Sequence, residues 1–126
     1  ICIRAAGARQ TILFSHGNAT DIGGMFSFLA VFSRNLGVNV VAYDYTGYGA
    51  SQLPVDFSGR VATTEKQVYK DIDAVYEWCK ANVVSDPKTE LVLYGQSVGS
   101  GPSVFVASKC PVAGGYPRVS SPESAV

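Results

Sequence analysis

The sequence is short of charge. Ten Lys plus Arg stand against ten Asp plus Glu, so only 16% of the 126 residues are charged and the net charge is zero. A balanced chain of this kind has no general electrostatic grip on phosphate backbones or anionic lipid, and nucleic acid is not an expected partner. Long hydrophobic runs are missing as well. The best, residues 26–32 and 38–43, fall far below the roughly 18 apolar residues that a membrane span needs. Cysteine is sparse and unpatterned: Cys2, Cys79 and Cys110 are an odd number without a CxxC, so they suggest neither a disulfide framework nor a zinc site and read as reduced core thiols. There is one histidine. The chain opens at Ile1 with no charged segment leading into a signal-like apolar core, and reads as a fragment that lacks its true N-terminus.

What is present is a core. Hydrophobic residues make up 47% of the chain, too many for native disorder and enough for one domain or part of one. Thr11 to Phe14, Val38 to Tyr43 and Leu91 to Tyr94 are short β-prone runs suited to strands buried on both faces. Between them lie stripes of helical period. Met25, Phe28, Leu29, Phe32 and Leu36 form one, with Asp21 as N-cap and Gly37 as terminator. Val68, Ile72, Val75, Tyr76 and Cys79 form the next, with Thr64 and Gln67 at capping-box spacing. A third helix is expected from Val98 to about Cys110. Alternating strands and helices predict a parallel sheet with helices on both faces and the first of the three strands in the centre. Ile1 to Arg4 suit the end of a preceding strand, and Gly47, Gly49 and Pro54 punctuate the loop after the second.

The chemistry sits at the third strand's end. Gly95-Gln96-Ser97-Val98-Gly99 is a GxSxG pentapeptide directly after a buried strand and directly before a helix, the setting of a nucleophile elbow. Such a turn is sharp and strained, so side chains two residues to either side of the serine would collide; hence the glycines. The turn aims the Val98 amide at the place where an oxyanion develops during acyl transfer. Ser15-His16-Gly17-Asn18 ends the first strand, where a second oxyanion donor belongs, and Asn18 is the candidate. His16 precedes the nucleophile, whereas the elbow fold orders its triad Ser, acid, His; a packed ring bracing the oxyanion loop is the expected role. Asp44 suits a turn-forming role, Asp71 and Asp73 suit solvent, and Tyr45 and Tyr48 suit either an acyl pocket or ordinary packing.

Four blocks together carry a resemblance: residues 11–19 (TILFSHGNA), 43–51 (YDYTGYGAS), 69–74 (YKDIDA) and 93–99 (LYGQSVG). In that order they resemble the α/β-hydrolase domain-containing depalmitoylases, protein palmitoyl thioesterases among the serine hydrolases, from about Ala6 to about Gly114. The resemblance implies a partial α/β-hydrolase fold, Ser97 as the acyl-accepting nucleophile, and Asn18 and Val98 as oxyanion donors. It implies an acylated protein or lipid-like ester as substrate and no metal or organic cofactor. It also implies an intracellular setting, with peripheral membrane contact through a lipid-modified N-terminal segment not among these residues.

The departures fall after Ser97. The only acid beyond it is Glu123 and no histidine follows, so no Ser-acid-His triad can be completed from these residues. Pro111 to Gly114 starts like the family's next strand and gives way to residues 115–126, which match nothing in the family. Residues 1–114 are therefore taken as the N-terminal part of a hydrolase domain and 115–126 as a disordered tail, with the far edge of the Leu91 to Tyr94 strand left open. The expected activity is hydrolysis of acyl thioesters or esters, protein depalmitoylation first among them. The alternative is an inactive truncated relative that acts as a non-catalytic binding module. A dinucleotide-binding reading of Gly95, Gly99 and Gly101, with Tyr76 and Lys80 as a Tyr-x-x-x-Lys pair, has the wrong order: that fingerprint belongs at the first strand of its fold.

Overall fold

The computed structural model describes residues 1–51 and 63–118. Strands β1 (Cys2–Ile3), β2 (Thr11–Ser15), β3 (Asn39–Tyr43), β4 (Leu91–Gln96) and β5 (Gly114–Arg118) form one sheet in the order β1-β3-β2-β4-β5. The expected central place of β2 and its parallel pairing with both β3 and β4 are present, with Leu13 opposite Val41 on one side and Leu93 on the other. Only β1 runs antiparallel, Cys2 facing Val41. A central strand covered on both faces has no solvent side, which is why every residue of β2 is buried.

Helix α1 (Ile22–Leu36) covers one face, and α2 (Glu65–Asn82) with α4 (Ser100–Lys109) covers the other; α3 (Pro87–Glu90) is a single turn leading into β4. The ends form as the sequence indicates. Asp21 accepts the Gly24 amide at 2.8 Å, and Gly37 closes α1 in the left-handed conformation at φ 63°. Thr64 accepts the Gln67 amide at 3.2 Å, but Gln67 does not close the capping box; its side chain reaches Asp71 instead. On the α2/α4 face Leu13, Ile72, Tyr76, Cys79, Leu91, Leu93 and Val106 are all essentially inaccessible. On the other, Ile12, Phe14, Leu29, Val40 and Ala42 meet α1.

Residues 115–118 correct the expected tail. They continue the strand that starts at Gly114, pairing in parallel with Val92 to Gln96, so the far edge of β4 is covered along these residues. Composition pointed the other way because Gly114, Gly115 and Pro117 are poor strand formers. Backbone pairing with the exposed edge of β4 outweighs that propensity, and proline is tolerated on an edge strand. Pro54 and residues 119–126 lie outside the described residues. The cysteines are all free, but only Cys79 is buried; Cys2 is exposed.

Candidate active site

In a parallel sheet the strands end together, and the ends of β2, β3 and β4 bring residues 15–18, 44–48 and 95–99 to one rim. Ser97 is exposed there with φ 53°, one of two described non-glycine residues with positive φ. The other is Ala19, φ 57°, in the loop after β2. Strain of about 1–2 kcal/mol at a non-glycine left-handed residue persists only where its surroundings impose it.

The surroundings are close. A Cβ on Gly95 would overlap the Gly99 carbonyl oxygen and come 2.7 Å from Ser100 Cα; on Gly99 it would overlap the Ser15 carbonyl oxygen and come 2.7 Å from that of His16. Those obstacles are backbone and cannot turn aside. Gly95 is thus required by the tight turn of the elbow onto itself, and Gly99 by backbone contact between the elbow and the end of β2. The Ser100 hydroxyl donates to the Gly95 carbonyl at 3.3 Å and that of Ser103 to Gly99 at 3.0 Å, two ties the sequence reading did not single out. Helix α4 begins behind the elbow, so its positive end lies beside Ser97.

The loop after β2 lies against the same turn. A Cβ on Gly17 would sit 3.7 Å from that of Ser97, and Asn18 is the next residue in that loop. Tyr48 donates to Asn18 Oδ1 at 2.8 Å and Tyr45 donates to the His16 carbonyl at 2.8 Å, which pins the loop from β3's side. The exposed Val98 carries the other candidate donor.

His16 braces and does not face Ser97. Its ring is wholly buried between Tyr45 and Tyr48, with centroids 4.4 and 5.4 Å away. Nδ1 is 2.8 Å from the Gly17 carbonyl, which makes it the donor, while Nε2 lies 3.4 Å from Asp44 Oδ1 without a hydrogen bond. Both nitrogens are thus turned to other partners.

Two carboxylates differ from their sequence reading. Asp44 accepts the Ile22 amide at 2.8 Å, so it braces the first turn of α1 across 22 positions and does not merely form its own turn. Gly49 makes room for it: at φ 48°, a Cβ there would overlap Asp44 Oδ2. Asp71 is not simply solvated. It accepts the Thr46 amide at 2.7 Å, the Thr46 hydroxyl at 2.9 Å and the Gln67 amide group at 2.9 Å, fastening the loop after β3 to α2. Residues two apart on a helix point to different faces, so Asp71 meets the crossing loop while Asp73 pairs with Lys109 at the surface. Burial pushes the hydroxyls of Tyr43 and Tyr45 well above the usual phenol range, so both stay neutral.

Among the cavities of the described residues, two lie at opposite ends of the sheet. One of 720 Å³, lined by Ile12, Phe32, Leu36, Val92 and Gly114 among others, lies towards the strands' N-terminal ends. The smaller, 360 Å³, includes Val98 in its wall and is therefore at the chemical end, where ligands gather in open α/β sheets. The described residues hold no group of three or more His, Cys, Asp or Glu side chains suited to a metal ion.

A family model described as serine aminopeptidase, S33, matches residues 6–114. The chain belongs to this hydrolase family. Curated relatives agree: the α/β-hydrolase domain-containing protein aho-3 of Caenorhabditis elegans is 46% identical over 99 residues, 79% of this chain and 27% of its own. Mouse α/β-hydrolase domain-containing protein 17C is 41% identical over 105 residues, 83% of this chain and 30% of its own. The human protein 17B is 41% identical over 102 residues, covering 81% and 32%. The chain thus spans about a third or less of the length of these relatives. A solved arylesterase superposes with a TM-score of 0.58 at 17% identity over 95% of this chain and 40% of that one, which shows the α/β-hydrolase fold. The S33 match ends at Gly114, where the sequence also stops resembling the depalmitoylases.

Proposed function

We propose that these residues form the nucleophile and oxyanion part of an acyl hydrolase acting on thioesters or esters, with acylated proteins as substrate. The observation that carries this reading is the positive φ of Ser97 between two glycines that admit no Cβ. Ser97 Oγ attacks the acyl carbonyl, and the carbonyl oxygen becomes an oxyanion held by the amides of Asn18 and Val98. Collapse of that oxyanion breaks the bond to the thiol or alcohol, which leaves with a proton, and water then attacks the acyl-enzyme to release the carboxylic acid and restore the Ser97 hydroxyl. Ser97 needs a base, and His16 is turned away from it. In this proposal the 126 residues are a portion of a hydrolase domain whose acid and histidine lie beyond Ser97, a reading supported by relatives more than three times the matched length. The sequence resemblance supports depalmitoylation in particular, an intracellular setting, and membrane contact through a segment N-terminal to these residues.

A second reading is a non-catalytic module that binds acylated partners. The locked His16 favours it, because the described residues then hold a serine with no base. The experiment is thioester hydrolysis and fluorophosphonate labelling by the intact protein that carries these residues, alongside its Ser97→Ala variant. Loss of a triad serine is expected to lower turnover by about a million-fold and abolish labelling. Hydrolysis that survives Ser97→Ala overturns the nucleophile assignment; an intact protein that neither labels nor hydrolyses favours the binding module.

A further inference from the structure

We propose that the 360 Å³ cavity between α2 and α4 receives the straight acyl chain of the substrate, and that Gly101 sets how long a chain it admits. The inference rests on the reading of Ser97 as acyl acceptor. Its walls include Tyr45, Tyr48, Val68, Val98 and Pro102 together with Thr63, Thr64 and Glu65; no Lys or Arg lines it, and the Glu65 carboxylate disfavours an anionic ligand beside the apolar walls. Its volume lies at the small end of the roughly 300–1,000 Å³ usual for ligand sites. A substrate acyl carbon bonded to Ser97 extends in two directions. The apolar group belongs on the side walled by Val98 and the polar leaving group belongs in solvent.

Gly101 is the controlling position. It stands in the first turn of α4, where glycine costs helix stability relative to alanine. No close packing requires it: a Cβ there would meet only Tyr69 Oη, at 4.0 Å, and Gly101 is exposed. This separates it from Gly95 and Gly99, which backbone contacts forbid from changing. The Tyr69 ring is itself held, its hydroxyl donating to Glu65 at 2.5 Å and its face stacked on Phe105 at 4.3 Å. A side chain added at 101 therefore occupies cavity space instead of displacing its neighbours. Tyr48, which lines the cavity and holds Asn18, also places an occupied cavity in contact with the oxyanion loop.

The test is binding of neutral N-methyl alkanamides of four to twelve carbons to the intact protein carrying Ser97→Ala, which separates binding from hydrolysis. The dissociation constant is expected to fall by about fourfold per added methylene and then level off where the cavity is full. Gly101→Leu should move that break point to a shorter chain, with the shortest amides bound within about twofold of the parent. Val68→Phe serves the same purpose should Gly101→Leu fail to fold. Methyl resonances of Val68 and Val98 in the otherwise unaltered Ser97→Ala protein should shift at saturation. An unchanged break point in the folded variants, no dependence on chain length, or shifts confined to Val38 and Val92 by the larger cavity would each overturn the assignment. Chain-length-dependent binding with no Ser97-dependent labelling in the parent would retain the cavity and overturn only the hydrolase reading.

Discussion

The two faces of the sheet are built from the same strands and differ in how completely they are covered. Along β4, Leu91, Leu93 and Gly95 point towards α2 and α4 and are buried, while the alternating Val92 and Tyr94 remain only partly covered beside α1. Two helices seal one face. One helix covers the other and leaves the 720 Å³ cavity, and Phe26, Phe28, Val31 and Leu36 of α1 are each about half exposed. The sealed face is the one that carries the elbow and the clamp of Asp71 on the loop after β3, while the acyl cavity opens at its rim, beside the first turns of α2 and α4. Holding Ser97 in a strained turn requires close backbone contact, and only a fully packed region supplies it.

Glycines offer the sharpest way to break this contrast. Gly99→Ala drives a Cβ into two backbone carbonyls, whereas a methyl group on Gly114, at the wall of the larger cavity, would meet nothing within 4 Å. Gly99→Ala is expected to destabilise by more than about 4 kcal/mol and Gly114→Ala to stay within about 0.5 kcal/mol. Urea midpoints of the two variants measure the difference; equal shifts would mean that the elbow is not braced by β2.

Side-chain deletions at neighbouring positions give the next largest effect. Leu93→Ala should cost about 2–5 kcal/mol, because its space is walled on all sides, and Val92→Ala about 1 kcal/mol, because its site already opens to a cavity. Thermal unfolding at one protein concentration compares them. Comparable costs would show the α1 face to be as tightly packed as the other.

The smallest expected effect, taken over one pH unit, is alkaline. Burial on the sealed face pushes the Cys79 thiol up to about 12 from an ordinary value of 9. Between pH 9 and 12 the folded state keeps a proton that the unfolded chain has lost, so stability falls as pH rises, by up to about 1.4 kcal/mol per pH unit. Below pH 9 this group contributes no slope. Tyr43 and Tyr45, also raised by burial, add to the fall above pH 10. Cys79→Ala should flatten the profile between about pH 9 and 10; an unchanged slope there would assign the effect to other groups.

Apolar runs located β2, β3 and β4 and helical stripes located α1 and α2, since a run such as Leu91 to Tyr94 reflects burial on both faces and a stripe such as Val68 to Cys79 reflects burial on one; α4 was expected from its place after the elbow. The local pattern located Ser97 as well. The pentapeptide is self-contained, and the reason for its glycines, a sharp turn under a helix, is written within five residues. Asp21, Thr64 and Gly37 were legible on the same ground, because a cap acts within four residues of itself.

What the sequence did not disclose was set by partners distant in the chain. Asp44 braces a helix end 22 positions earlier, and Asp71 holds a threonine 25 positions earlier; no spacing rule relates such pairs, because sheet order brings them together. The strand over residues 114–118 depends on the free edge of β4 and not on its own residues, so propensity misjudged it. By itself the sequence determined which segments are apolar, with what period, and which serine stands at a strained turn. Only the tertiary structure decided that His16 turns its nitrogens to Gly17 and Asp44, that one face of the sheet is sealed and the other is not, and that Gly101 opens onto a cavity. Local chemistry is encoded residue by residue, but contact between remote segments exists only once the strands have chosen their neighbours.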